Sequence, residues 1–270
     1  MSLATAFSYP PILKGFLVLM LAGCFFPLSG VFVLKLQLVP LRFTLMHGTL
    51  LGGAAALALG LDPLLIGLAI NLVIVFAIAP LSRFSGLGTG YVTAFFMVLT
   101  IGLAYAIIYK AGVPAKDTLE ILWGNIFALS FLDVILAAAF CVASLLFVAF
   151  FFQKLKAMLF SREIAFSVGI NEKALFRAIL ILVGLTVAFS LKLIGALLLD
   201  SLLLLPAIAA SFFARSVRSL FLLAGLIGLT ASFGGFLVAL NLDIPASSAV
   251  TIIAALLFAA GLAFRKKVHA

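Results

Sequence analysis

The chain has 270 residues, of which 66% are hydrophobic and 9% charged, and its mean hydropathy is +1.42. A soluble domain is about 45–50% apolar and about 25% charged, so this composition excludes a protein whose surface faces water. The formal net charge is +9, and the positions of the basic residues decide whether that charge indicates nucleic-acid binding or membrane orientation.

The predicted elements are apolar runs whose length is typical of a bilayer-spanning helix, about 20 residues. They lie at residues 15–34, 43–60, 64–81, 91–110, 131–152, 174–193, 195–214, 219–240 and 246–264. Only helices and closed barrels satisfy backbone hydrogen bonds in lipid, and the alternating strands of a barrel are absent. The sequence therefore predicts an all-α, polytopic transmembrane bundle of eight or nine spans. The lower count would follow from a short or broken helix around Gly195 and Pro206.

The basic residues fall between these runs and predict an orientation. With nine spans and the N-terminus outside, thirteen of the 17 Lys and Arg residues lie on the cytoplasmic side, together with the C-terminus, as the positive-inside rule favours. The four on the outer side are Lys14, Lys110, Lys116 and Lys192. Most acidic residues, Asp200 included, are assigned at or toward the outside. Orientation thus accounts for the net charge, and no nucleic acid is predicted as a partner.

Residues 1–270 are interpreted as a single transmembrane domain with two loops of functional interest. The outer segment, at about 113–130, carries apolar residues at helical spacing and predicts a short interfacial helix anchored by Trp123. The inner loop, at about 153–177, is the only substantial cytoplasmic segment. Residues 161–168 within it predict a short helix with Ser161 as N-cap and Gly169 as its stop.

Polar side chains inside apolar runs are the candidates for function, because they are costly in lipid. Asp200 stands among leucines and needs a partner: outer water at a helix end, Lys192, a cation or a proton. His47 is either a transition-metal ligand or a structural, hydrogen-bonded histidine. Gly48 and Gly52 predict close helix packing. The sequence contains no phosphate-binding loop, nucleophile elbow or H-E-x-x-H pair, so it predicts a transporter and not an enzyme.

Four motifs carry a resemblance to a known family. Residues 160–171 read FSREIAFSVGIN, residues 194–210 read IGALLLDSLLLLPAIAA, residues 241–250 read NLDIPASSAV, and residues 122–127 read LWGNIF. In order and spacing they resemble motifs of the permease subunits of the manganese/zinc/iron family of ABC importers, including the segment that couples to the ATPase.

The resemblance implies a multi-pass permease of the prokaryotic inner membrane that works by alternating access. The implied partners are a cytoplasmic ATP-binding subunit, an extracytoplasmic solute-binding protein and a second permease copy. No cofactor is expected to be bound permanently, ATP is expected only on the partner subunit, and the implied cargo is a divalent transition metal: zinc, manganese or iron.

The resemblance also implies roles for residues of the inner loop. Glu163, Ala165 and Gly169 match the family's coupling motif, while Ser161 stands where the family has an acidic residue. We therefore expect these four residues to form the element that docks on the ATPase.

The family's metal-path motif is only half present. His47 matches its histidine, but its acidic residue is replaced by Phe43. Asp200 stands where the family has a small residue. The hypothesis is that Asp200 supplies the missing carboxylate, so that His47 and Asp200 face one substrate path and hold the metal from different helices.

Three alternatives stay open at this point. One is a secondary transporter or channel that uses Asp200 as an ion or proton site, and another is an ABC permease for a cargo that is not a metal. A third, an intramembrane enzyme, would need paired catalytic residues, which the sequence does not show. The coupling motif favours the ABC importer, because a secondary transporter does not dock on an ATPase.

Overall fold

The computed structural model describes residues 7–112 and 126–268, and no β-strand occurs among them. The described helices are α1 (Pro10–Lys35), α2 (Val39–Leu59), α3 (Pro63–Ser85), α4 (Thr89–Ala111), α5 (Phe131–Phe150), α6 (Phe152–Phe160), α7 (Arg162–Ser167), α8 (Glu172–Leu193), α9 (Gly195–Leu203), α10 (Leu205–Ser211), α11 (Val217–Leu242) and α12 (Ala246–Val268). The predicted all-α transmembrane bundle is confirmed.

Seven of the described helices are long and apolar enough to cross a bilayer: α1, α3, α4, α5, α8, α11 and α12. The other two apolar runs differ from this pattern. Helix α2 has 21 residues but carries Arg42 and His47, and the run at Gly195–Ser211 is a shorter, interrupted helix. The number of spans and the orientation remain predictions.

Side-chain and glycine caps account for several helix boundaries. Asp62 is the N-cap of α3 and accepts a hydrogen bond from the backbone N–H of Leu65 at 3.0 Å. Ser130 and Asp133 form a reciprocal capping box at the start of α5. Gly60 ends α2 in the left-handed conformation. Such caps satisfy backbone groups that a helix end leaves unpaired.

Most of the buried apolar residues form two large cores, one toward each end of the bundle. The first core contains Phe32 of α1, Leu155 of α6 and Ala165 of α7. The second core contains Leu19 of α1 and Ile126, together with Leu193 at the end of α8. Helix α1 passes through both cores and therefore runs from one end to the other.

The predicted break between the sixth and seventh runs is confirmed. Helix α8 ends at Leu193, and Gly195 follows with φ of 81°, a left-handed conformation that favours glycine. A second interruption at Leu204 precedes Pro206, which has no N–H to continue the helical hydrogen bonds. Leu198 packs in the second core and Ala207 in the first, so α9 and α10 together also run from one end to the other.

The inner loop contains more helix than the sequence predicts. Of residues 153–177, those up to Phe160 continue as α6, and those from Glu172 onward are the first turns of α8. The connection is helical because Leu155 and Met158 are fully buried in the first core. The predicted outer interfacial helix and Trp123 fall mostly within residues 113–125, outside the described residues.

Candidate substrate path and coupling helix

Arg42 and Asp200 form an ion pair between α2 and α9. The Arg42 side chain is 1% exposed and is the largest among the fully buried side chains of the described residues. Its guanidinium also lies 4.0 Å from the ring centre of Phe43, a geometry that favours a cation over an aromatic face. Asp200 is therefore neutralised by an arginine of the same chain.

Asp200 lies in the middle of the bundle and not at its outer end. Its neighbours Leu198 and Leu202 pack in the second core, whereas Leu199 and Leu203 pack in the first. The alternative in which Asp200 faces outer water at a helix end is therefore not supported. The alternative pairing with Lys192 is also not observed, because Asp200 pairs with Arg42.

Lys192 instead lies among two other carboxylates. Its Nζ is 3.2 Å from Oδ1 of Asp133 and 4.0 Å from Oδ2 of Asp62. These contacts join the end of α8 to the beginnings of α3 and α5. The sequence predicts all three residues on the outer side of the membrane. The structure places them together at one end of the bundle.

The Asp200 side chain is 39% exposed on the surface of the single chain. Residues three and four apart share a helix face, so Leu197 lies on the same stripe of α9 as Asp200. Leu197 is 40% exposed, whereas Leu198 and Leu199 are buried. An ionised group at membrane depth faces a bundle interior or a water-filled cavity and not lipid. This stripe is therefore a surface that needs to be covered or hydrated.

His47 lies five residues beyond Arg42 on α2, about 7.5 Å along the helix axis. It is half-buried together with Phe43 and Met46 on one face of the helix. Its Nδ1 is buried and has no hydrogen-bond partner among the described residues. A hydrogen bond that would hold His47 through this nitrogen is therefore not observed among the described residues.

The described residues contain no group of three or more His, Cys, Asp or Glu side chains that could hold a metal ion. The two candidates predicted from the sequence, His47 and Asp200, belong to helices that the Arg42 ion pair links directly. Sequence reasoning assigned Arg42 only to the cytoplasmic charge count. The available signal was that Arg42 and Asp200 are opposite charges near or within apolar segments, where an unpaired charge is costly.

The residues that the sequence predicts to contact the ATPase lie in and beside a short helix, α7, as expected. Ser161 is its N-cap, and its Oγ accepts hydrogen bonds from the backbone N–H of Glu163 at 3.1 Å and of Ile164 at 3.3 Å. Ser161 Oγ also donates to the carboxylate of Glu163. The helix ends before Gly169, whose φ is 77°. The cap and stop predicted from the sequence are confirmed.

Helix α7 is anchored by a buried residue, and apolar side chains around it are exposed. Ala165 is fully buried in the first core, which fixes the helix to α6 and α8. Phe166 is 73% exposed and Val168 63% exposed. Four large apolar side chains in and around this segment are exposed, and we call them together the coupling patch: Phe160, Ile164, Phe166 and Val168. Several exposed apolar side chains in one segment are typical of a protein-interaction surface.

Comparison with known proteins identifies the family. The model of the ABC 3 transport family matches residues 8–265. The chain belongs to the ABC 3 transport family.

Members of this family with recognised names are similar along nearly the whole chain. The high-affinity zinc uptake system membrane protein ZnuB of Haemophilus influenzae is 27% identical over 259 residues, 96% of this chain and 98% of the relative. The manganese import system permease protein ScaB of Streptococcus gordonii is 25% identical over 240 residues, 87% of this chain and 82% of the relative.

A solved structure shows the same fold. PsaBC from Streptococcus pneumoniae in complex with Fab matches with a TM-score of 0.84 and 22% identity, covering 96% of this chain and 93% of that chain. The family match and the two relatives identify the chain as a permease subunit of an ABC importer and a multi-pass protein of the prokaryotic inner membrane. It is not itself the enzyme, because a separate subunit carries the ATPase in this family.

Proposed function

We propose that this permease imports a divalent transition metal, zinc, manganese or iron, by alternating access driven by a separate ATPase. The observation that carries the proposal is the half-buried His47, whose Nδ1 is buried without a hydrogen-bond partner among the described residues. A neutral imidazole nitrogen with a free lone pair is a ligand for these metals. The zinc and manganese uptake named for the two relatives supports this class of cargo.

In this proposal His47 and Asp200 line one substrate path. His47 offers a nitrogen ligand from α2, and Asp200 offers a carboxylate from α9 that is tied to Arg42. With two donors in one chain, we expect a passing cation to be held weakly. Weak binding is what a transport path needs, because the cargo has to be released, whereas a storage site would need tight binding.

The proposed assembly contains a second permease copy that covers the half-exposed stripe of α9. The supporting observation is Asp200 itself, since a carboxylate that is 39% exposed at mid-depth does not face lipid. A second copy related by twofold symmetry places the same stripe opposite its equivalent, the commonest arrangement of a homodimer. The path would then lie between the two copies.

The coupling patch around α7 is the proposed contact with the cytoplasmic ATP-binding subunit. Ser161, Glu163, Ala165 and Gly169 set its geometry through the cap, the buried residue and the stop described above. A solute-binding protein would deliver the metal at the opposite end of the bundle, where Lys192 joins α3, α5 and α8.

The alternative of a secondary transporter with Asp200 as the ion or proton site has less support. Arg42 already supplies a positive charge to that carboxylate, and the coupling patch has no role in a transporter without an ATPase. A non-metal cargo is disfavoured by the unpaired His47 Nδ1.

Uptake by the reconstituted complex tests the proposal. Permease, ATPase and binding protein in proteoliposomes are expected to accumulate radioactive Zn²⁺ or Mn²⁺ only when ATP is present on the ATPase side. His47→Ala is expected to reduce the uptake rate at least tenfold, because it removes the nitrogen ligand. Met46→Ala, on the same half-buried face, is the matched control and is expected to stay within threefold of the unchanged protein.

ATP-independent uptake driven by an ion gradient would support the secondary transporter instead. Uptake of neither metal would contradict the proposed cargo. Full uptake of both metals by the His47→Ala variant would contradict the proposed role of His47.

A further inference from the structure

The feature that the proposed function does not explain is why an arginine is buried beside the candidate path. Arg42 is almost completely buried, pairs with Asp200 and lies against Phe43. Its Nε has no hydrogen-bond partner among the described residues. Burying a guanidinium is costly in a membrane protein, so helix packing alone gives no reason to have it there.

Asp200 without Arg42 would be a strong cation site. It would be an unpaired carboxylate at mid-depth, and such groups bind cations or protons. Divalent metals that interact with carboxylates and imidazole would be retained there, with His47 offering a second ligand from α2. Tight retention at one point slows transport, because a transported ion needs to leave as readily as it enters.

The guanidinium changes this because it is a cation that belongs to the chain. Arginine stays protonated in proteins and matches a carboxylate in charge and shape. It therefore competes with any divalent cation for Asp200 and is always present at the site. A metal that approaches the carboxylate therefore meets the positive charge of the guanidinium, which weakens its binding.

We propose that Arg42 acts as a tethered counter-ion of Asp200 and prevents the transported cation from being trapped there. The inference rests on the proposed function, since it takes the cargo to be a divalent metal. It assigns Asp200 a transient contact with the cargo on the substrate path.

The first experiment measures metal retention by the full-length permease in lipid nanodiscs, with Zn²⁺ and Mn²⁺ as probes in equilibrium dialysis. Arg42→Gln is expected to bind at least one of the two metals at least tenfold more tightly than the unchanged protein. The double variant R42Q/D200N is expected to lose that gain, because the freed carboxylate is gone. Arg42→Lys keeps the positive charge and is expected to stay within threefold.

The second experiment measures ATP-driven uptake by the complete transporter. R42Q is expected to transport at least tenfold more slowly than the unchanged protein at low metal concentration. R42Q/D200N is expected to transport at least threefold faster than R42Q, but more slowly than the unchanged protein, because the transient contact with Asp200 is lost. Faster transport by the double variant would show that charge balance matters. If Arg42 had only a structural role, R42Q/D200N would be no faster than R42Q, because it also lacks the contact between the two side chains.

The proposal is overturned if folded R42Q binds both metals no more tightly than the unchanged protein, or if R42Q/D200N binds as tightly as R42Q. Should R42Q fail to fold, metal retention by Asp200→Asn takes its place. Because Arg42 already weakens metal binding to the carboxylate, Asp200→Asn is expected to retain Zn²⁺ and Mn²⁺ within threefold of the unchanged protein. A tenfold loss of retention would show that Asp200 is a tight metal site and would overturn the proposal. If the unchanged complex imports neither metal, the proposed function fails. Retention of Zn²⁺ by R42Q is measured without transport, so it still tests the role of Arg42.

Discussion

Glycines at the helix crossings allow backbones to approach where a methyl group has no room. A Cβ on Gly52 of α2 would overlap the Cα and N of Gly67 on α3, and a Cβ on Gly48 would overlap the side-chain oxygen of Asn71. In lipid there is no hydrophobic drive between helices, so close packing of this kind holds them together. The packing role that the sequence predicts for Gly48 and Gly52 is thus confirmed.

Gly52→Ala is expected to destabilise the permease by about 1–3 kcal/mol, because the added methyl group forces α2 and α3 apart. Gly102→Ala is the matched control: Gly102 lies within α4, and a Cβ there would meet no other atom within 4 Å. Since alanine favours helix over glycine, the control is expected to be neutral or slightly stabilising. Thermal unfolding of both variants in detergent checks this, and equal midpoints would contradict the predicted crossing.

The ion pair between Arg42 and Asp200 could be predicted from the sequence only in part. A carboxylate among leucines is conspicuous because it is costly in lipid, so Asp200 could be selected from its neighbours alone. Its partner could not, because the choice between Lys192 and Arg42 depends on how α2 and α9 pack. Lys192 is close in sequence but lies at the end of α8, whereas Arg42 comes from a distant part of the chain.

Among the elements, α7 is a six-residue helix that depends on its two ends. Ser161 caps the beginning, and at the other end the N–H of Ile170 donates to the carbonyl of Ala165 at 3.0 Å while that of Gly169 donates to Phe166 at 3.0 Å. A helix this short is not stable alone. The buried Ala165 and these two ends therefore hold the coupling patch in place.

Gly169→Val is expected to reduce ATP-driven uptake about tenfold. Gly169 has φ of 77° with nothing within 4 Å of a Cβ position, so the harm comes from backbone strain of roughly 1–2 kcal/mol and not from a clash. Relief of that strain distorts the last turn of α7. Gly169→Asn is expected to retain most uptake, because asparagine tolerates the left-handed conformation.

Gly86→Val is the matched control for this prediction. Gly86 ends α3 with φ of 67° and also has open space around it, so valine introduces the same kind of strain away from α7. It is expected to lower stability similarly while leaving uptake within twofold to threefold per folded transporter. Equal loss of uptake in the Gly86 and Gly169 variants would contradict a specific coupling role for α7.

The elements could be predicted from the sequence wherever local signals decide them. The cap and stop of α7 and the break before Gly195 follow from Ser161, Gly169 and Gly195 themselves. The helical character of residues 153–160 could not be predicted, because it depends on burial of Leu155 and Met158 against helices distant in sequence.

For the molecule as a whole, residues assigned to one side of the membrane from charge counting do meet at one end of the bundle. Lys192 contacts Asp62 and Asp133, and Nζ of Lys14 donates to the carbonyl oxygen of Leu129 at 2.7 Å. The coupling patch lies at the other end, with the first core. The packing therefore groups the ends as the sequence predicts. Which end is cytoplasmic rests on the positive-inside rule.

Single cysteines test that orientation in a variant whose own Cys24 and Cys141 are replaced by alanine. Leu61, at the turn between α2 and α3, is 52% exposed, and Val168, after α7, is 63% exposed. Because the Lys192 end is predicted to be outside, Leu61→Cys is expected to react with a membrane-impermeant maleimide in intact spheroplasts. Val168→Cys is expected to react only after permeabilisation, as a docking surface for a cytoplasmic ATPase requires. The reverse pattern would overturn the orientation, and reaction of both sites from outside would show that an even number of crossings separates them.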